Sequence, residues 1–451
     1  MLTLISIIVF YVLLSILLKF LTRTHQNSLN RNQIFLTFGF KIVFGCLYGY
    51  LFHHFYNGDD TWAIHLDSLK EWELLRNNPL QFFREYTPET AIRNAEASGN
   101  FLLLYLADLE YCLLTKTLGI FNGITQGNYY VNVVLYNFIV FWGHYWLFRM
   151  LVKEYPEKKL LFLIVIFFLP TALFWLSGIR SDGLLFFFFS LLLFSFHRYL
   201  KAGRFVDLLL FIIGLCGVVI FRSAVAIILL PGLVSWYIVR KKNKVPSLAF
   251  ISIYGIFLLL FFASSLFPFF NGPAAVSIKQ SEFFQLHGNT RYSLNKLEPT
   301  FQSFIQTLPQ AFANTFFRPF FWEAKGILQL LAAMGIFLFW GVAILSLIRR
   351  KKQVNQHHHH QSIFFILLLF GCSYYLLIGL TVPFPGAIVR YKSIAEICLF
   401  ISMILTINPD KFVLKKNNTF LKGVFAGDFL PFHGNTGLFI TNLPELPTLR
   451  E

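Results

Sequence analysis

The sequence predicts an all-α, polytopic integral membrane protein, and three observations carry that prediction. Hydrophobic residues make up 56% of the 451 residues and charged residues only 13%, where soluble domains carry roughly a quarter charged. Apolar runs of roughly twenty residues, long enough to cross a hydrocarbon core of about 30 Å, recur along most of the chain. Lys and Arg cluster in the connections between those runs, as the positive-inside rule demands of cytoplasmic loops. The net charge of +16 is therefore topological first, and nucleic acid is not an expected partner. The lipid bilayer is.

Taken in order, the apolar runs fall at 2–20, 34–56, 129–148, 160–177, 184–197, 206–221, 223–239, 247–270, 326–348, 362–381 and 391–407, about eleven candidate transmembrane helices in one domain, 1–407. The first run has no basic residue before it and no small-residue cleavage site after it, so it reads as a retained anchor rather than a signal peptide. Strict alternation puts the basic connections at Arg23/Arg31, Arg149–Lys159, Arg198–Arg204, Arg240–Lys244 and Arg349–Lys352 on one side. The expectation is an N-terminus outside, and a tail over 408–451 in the cytoplasm.

Two long loops fall on the outer side. Residues 57–128 include an amphipathic stretch, Ala63 to Arg76, and an apolar stretch, 101–121, interrupted by Asp108, Glu110 and Lys116. Charges at mid-span are costly, and counting 101–121 as a span would move the Arg149–Lys159 cluster to the wrong side. It therefore reads as an interfacial or re-entrant helix. The second loop, 271–325, is polar and broken by Pro273, Pro299, Pro309 and Pro319. Loops of this length tend to be functional, which places the expected site outside the cytoplasmic membrane. The five cysteines lie singly, without metal or disulfide spacing. The tract His357–His360 reads as a polar loop segment, and His53 and His54 as interfacial packing residues.

The informative residues are charges at the outer ends of spans, because a charge beside hydrocarbon needs water, a cavity or a partner. Asp59 and Asp60 end the second span; Arg180 and Asp182 lie in F-W-L-S-G-I-R-S-D-G; Arg222 interrupts an apolar stretch in F-R-S; Arg318 precedes Glu323 in F-F-R-P-F-F-W-E; Arg390 and Lys392 open the last span in P-G-A-I-V-R-Y-K. Guanidinium groups bind phosphate oxygens bidentately, so Arg180, Arg222, Arg318 and Arg390 are expected to hold the phosphate of a membrane-embedded carrier, with Lys392 alongside and Asp182 orienting Arg180 or Arg222. Asp59 or Asp60 would take the proton of an acceptor hydroxyl, or the pair would hold a divalent cation. The structural alternatives are a solvated helix end for the two acids, a local Arg180–Asp182 pair, an intramembrane Arg222–Asp182 pair, and snorkelling for Arg318 and Arg390.

A helix ending in the acidic pair Asp59-Asp60, followed by an external loop with amphipathic helices, resembles the GT-C superfamily of integral membrane glycosyltransferases. That resemblance implies a polyprenyl-phosphate-linked sugar as donor, chemistry on the external face, and a catalytic acid in the first loop, at Asp59 or Asp60. The segments F-W-L-S-G-I-R-S-D and P-G-A-I-V-R-Y-K also resemble bacterial multi-spanning proteins of surface-polysaccharide loci, some of them treated as polymerases. The chain departs from the GT-C pattern in having a span before the acid-bearing helix and no large external domain after the spans, which favours a smaller transferase or a polymerase. A transporter or flippase for a lipid-linked sugar, and a scaffold in an envelope complex, are the non-enzyme alternatives.

Overall fold

The computed structural model describes residues 2–23, 29–84, 101–267, 271–286, 290–324, 326–349 and 358–408. The tail expected beyond Asn408, residues 85–100 of the first loop and His357 lie outside them. Every regular element among the described residues is helical. They are α1 (Leu2–Thr22), α2 (Arg31–Phe55), α3 (Asp59–Asn77), α4 (Pro79–Arg84), α5 (Phe101–Thr125), α6 (Tyr129–Glu154), α7 (Lys159–Phe168), α8 (Pro170–Trp175), α9 (Ser181–Ala202), α10 (Phe205–Lys242), α11 (Pro246–Ala263), α12 (Gly272–Gln285), α13 (Phe301–Phe316), α14 (Ile327–Ile348), α15 (His358–Thr381) and α16 (Pro385–Thr406).

Eight of the described helices are long and apolar enough to cross a membrane: α1, α2, α6, α9, α10, α11, α14 and α15. The protein is thus a multi-pass helical membrane protein. The difference from the eleven apolar runs has three local causes. The run 160–177 is split into α7 and α8 at Pro170, which has no N–H to continue the ladder. The last run lies on α16, which carries Arg390, Lys392 and Glu396. The runs 206–221 and 223–239 both belong to α10, whose backbone leaves helical geometry at Arg222 (φ −165°, ψ 90°).

The chain doubles back at that point. Along the first leg, Phe211 stacks near Phe196, Gly214 lies against Leu192, and Phe221 stacks on Phe188, so the partner number on α9 falls as α10 advances. Along the second, Arg222 pairs with Asp182, Trp236 packs on Phe196, and Arg240 reaches Leu200, so the number rises. The first leg runs antiparallel to α9 and the second parallel to it. Arg222 is the apex.

The bundle has two chemically distinct ends. At one, Glu154 of α6 meets His197 (3.2 Å) and Lys201 of α9 and His360 of α15 (3.5 Å), while Lys158 caps the carbonyls of Ile404 and Leu405 at the end of α16. The described basic connections gather at this end. At the other lie the α2–α3 turn, the segment before α9, the apex of α10 and the start of α16. Here α3 packs on α5 through Asp67 to Tyr111, Glu71 to Lys116 (2.9 Å) and Ser68 to Asn122.

Candidate functional site

The site is built on an irregular segment, 176–180, that joins α8 to α9 and is buried throughout. Non-helical backbone inside a membrane protein must find its hydrogen bonds within the protein. Four side chains from three helices supply them. Lys41 of α2 donates to Leu176 O (3.4 Å) and Ser177 Oγ (3.1 Å), Asn137 of α6 to Ser177 O (2.8 Å), Thr61 of α3 to Ile179 O (3.0 Å), and the Tyr136 hydroxyl of α6 to Arg180 O. Lys41 is fully buried. Desolvating an ammonium costs several kcal/mol, so its hydrogen bonds to this segment are part of what holds it there. Gly178 lies flat against Tyr48, where an added Cβ would sit 2.4 Å from the ring; no other residue fits without displacing one or the other.

This scaffold fixes Arg180, which is only 5% exposed. Its guanidinium donates to Asp59 Oδ2 (2.8 Å), to Asp60 Oδ2 and to the Tyr48 hydroxyl (3.2 Å). The two carboxylates come from a tight reversal after α2, in which Asn57, Gly58 and Asp59 all have positive φ (51°, 90° and 46°). Asn, Asp and Gly are the residues that tolerate this region, and the turn sets both acids in the first turn of α3, where the helix dipole favours negative charge. Their side chains stay open, 36% exposed at Asp59 and 63% at Asp60.

A second group adjoins the first through Asp182, two residues after Arg180. Asp182 is buried in the first turn of α9 and accepts from Arg222 Nη2 (3.2 Å), while Arg390 Nε lies 3.6 Å from its other oxygen. Both guanidiniums flank the Tyr391 ring, at 4.4 and 4.5 Å from its centroid. Arg222 also donates to the Tyr374 hydroxyl and Arg390 to the Tyr391 hydroxyl. Two guanidiniums therefore share one buried carboxylate, with 22% and 17% of their side chains exposed.

Glu110 of α5 lies within electrostatic range of this group. Burial holds its carboxyl above the ordinary carboxylate range, an effect that Ser181 and the charges of Arg222 and Arg390 offset only in part and that Asp182 adds to. Asp67 on α3 shows the opposite balance: hydrogen bonds from Lys70 and Tyr111 hold it low. In the sequence Glu110 is one of three charges in an apolar helix and nothing marks it out. The charge that Lys116 brings to the same helix is taken up by Glu71 and by the Phe82 carbonyl.

Two expected residues stand apart. Arg318 forms a forked pair with Glu323 (2.9 and 3.1 Å from Nε) and covers the Tyr292 ring at 3.9 Å. Lys392 is buried, donates to Thr315 O (3.2 Å) and lies beside Glu396, which accepts from Thr171. Both carboxylates that a divalent cation would use here, Asp59 and Asp60, are paired with the Arg180 guanidinium, and among the described residues no three His, Cys, Asp or Glu side chains converge.

Comparison with known proteins finds no family model, no curated protein and no solved structure that matches the chain.

Proposed function

We propose that the protein is a membrane glycosyltransferase working at the external face of a bacterial cytoplasmic membrane, moving a sugar or glycan from a polyprenyl-phosphate or pyrophosphate carrier to an acceptor hydroxyl during cell-surface glycan assembly. The observation that carries this reading is the juxtaposition of two open carboxylates, Asp59 and Asp60, with two guanidiniums, Arg222 and Arg390, that share a single carboxylate. Asp59 or Asp60 takes the proton of the acceptor as it attacks the anomeric carbon. The lipid phosphate leaves toward Arg222 and Arg390, since preorganised groups aimed at developing charge usually carry most of the rate. Arg180 holds the acids, and Asp182 orients the two arginines.

The orientation follows from charge: the described basic connections lie at the end opposite this site, which the positive-inside rule assigns to the cytoplasm. In this reading the two legs of α10, the broken α7–α8 and the charged α16 all cross, giving eleven passes with the N-terminus outside and the tail inside. A polysaccharide polymerase of the same pathway would use the same groups with a growing glycan as acceptor. The buried Glu154–His197–His360 network at the far end supports catalysis at one face over a flippase path open to both.

The test is mass spectrometry of lipid-linked glycans from cells lacking the protein and from cells carrying Asp59→Asn and Asp60→Asn. An unextended lipid-linked intermediate is expected to accumulate in the deletion and in at least one variant that inserts normally. Full glycan synthesis in both variants sinks the proposal.

A further inference from the structure

Arg318 is the outer-end arginine that the mechanism does not use, and the groups around it are left with hydrogen bonds to make. Glu323 takes its Nε hydrogen (2.9 and 3.1 Å) and one from Nη2, and Asn314 Oδ1 takes one from Nη1 (3.4 Å). An N–H on each terminal nitrogen stays unspent. Arg318 covers the Tyr292 ring at 3.9 Å, and two orphaned groups lie beneath and beside it. Asn314 is 1% exposed and Tyr292 9%, yet neither Asn314 Nδ2 nor the Tyr292 hydroxyl has a hydrogen-bond partner among the described residues. Buried polar atoms are nearly always paired, so this cluster points to a ligand that brings the missing acceptors.

An aromatic platform adjoins it. The Phe320 N–H donates to Glu323 Oε2 (3.1 Å) and the Glu323 N–H to Phe320 O (3.0 Å), which ties the turn to the Arg318 fork. The Phe320 ring stacks on Trp322, with centroids 4.7 Å apart and planes 8° from parallel, and Trp322 is 80% exposed. Phe321, between them, packs on Phe337 of α14 instead. We infer that the turn 318–323, with Tyr292 and Asn314, is a saccharide-binding subsite on the second external loop. The C–H face of a sugar ring lies on Trp322, whose π face is negative, and the sugar oxygens take the unspent hydrogens of Arg318, Asn314 and Tyr292. Charge separates this subsite from the phosphate site. Glu323 neutralises Arg318 one to one, whereas Arg222 and Arg390 share a single carboxylate, so the first suits a polar ligand and the second an anion. The two lie at the same end: Tyr292 N–H donates to Pro383 O (2.8 Å), just before α16, and Lys392 of α16 donates to Thr315 O, next to Asn314. The inference rests on the transferase reading for the identity of the saccharide, the glycan of that pathway, and gives it a second hold beside the reacting groups.

The probe is the oligosaccharide pool freed by mild acid from the lipid-linked glycans of the same cells, titrated calorimetrically against the full-length protein in nanodiscs. Saturable binding is expected. Trp322→Ala, at an exposed position that folding does not depend on, is expected to weaken it about tenfold, and Tyr292→Phe, which deletes only the hydroxyl, about fivefold. Trp322→Phe, which keeps a ring, is expected to restore most of the loss. Absence of saturable binding to the wild-type protein overturns the subsite. So does binding unchanged in Trp322→Ala and Tyr292→Phe, which would make Trp322 a membrane-interface anchor. Release of the free lipid carrier, followed in the same preparations, keeps the two readings apart: release without saccharide binding removes the subsite and leaves the transferase, and binding without release does the reverse.

Discussion

At the scale of single residues, the account turns on which charges have partners. Arg180 is buried and depends on Asp59 and Asp60, whereas each acid is partly in water. Removing the more exposed Asp60 alone costs about 1 kcal/mol or less, as for a surface pair. Removing both acids leaves a buried guanidinium with the Tyr48 hydroxyl and the Asp182 charge nearby but, among the described residues, no salt bridge, a loss of about 3 kcal/mol or more. The combined Asp59→Ala and Asp60→Ala protein is therefore expected to unfold well below the sum of its single variants in thermal melts; additive effects would contradict the shared partner. The acids, Arg180, Asp182, Arg222 and Arg390 were legible in the sequence because a charge at the end of an apolar run stands out. Glu110 was not, since Ser181, Arg222 and Arg390, whose influence its carboxyl feels, lie far along the chain. Lys392 is close to Arg390 in sequence but not in facing: residues two apart on a helix face different sides, and Lys392 turns to Thr315 and Glu396.

At the scale of elements, the two least regular pieces position the chemistry. The 176–180 segment is held by side chains from α2, α3 and α6, none of which sequence spacing could connect to it. The α10 fold at Arg222 was better marked, because a lone arginine between two apolar runs reads as a turn outside the hydrocarbon. Its two legs make a sharp prediction. Phe211 of the first leg packs on Phe196 with ring centroids 5.0 Å apart. Phe211→Cys with Phe196→Cys, in a background without the five native cysteines, is expected to be joined by a short bifunctional thiol reagent, and Phe211→Cys with Ser181→Cys is not. A continuous α10 that ran parallel to α9 throughout would reverse that result.

At the scale of the whole molecule, composition alone made the bilayer the solvent, and the alternation of basic connections gave the two ends. That much needs no tertiary knowledge, because hydropathy and charge act on each segment separately. The number of crossings needs more: it depends on whether a broken helix, a folded helix and a charged helix find partners inside the bundle, which is a property of the neighbours. The chemistry lies at the same level, since the α2–α3 turn, the segment before α9, the apex of α10 and the start of α16 must meet before an acid pair and two open guanidiniums become one site. The most direct measurement gives the purified protein, in nanodiscs, the lipid-linked intermediate that accumulates in cells lacking it, together with a membrane extract as acceptor source, and follows the carrier by mass spectrometry. The account predicts release of the free polyprenyl phosphate or pyrophosphate by the wild-type protein, reduced at least about a hundredfold in Arg222→Met by loss of charge stabilisation at the leaving group. An intermediate that stays intact with wild-type protein, or turnover undiminished in Arg222→Met, would contradict it.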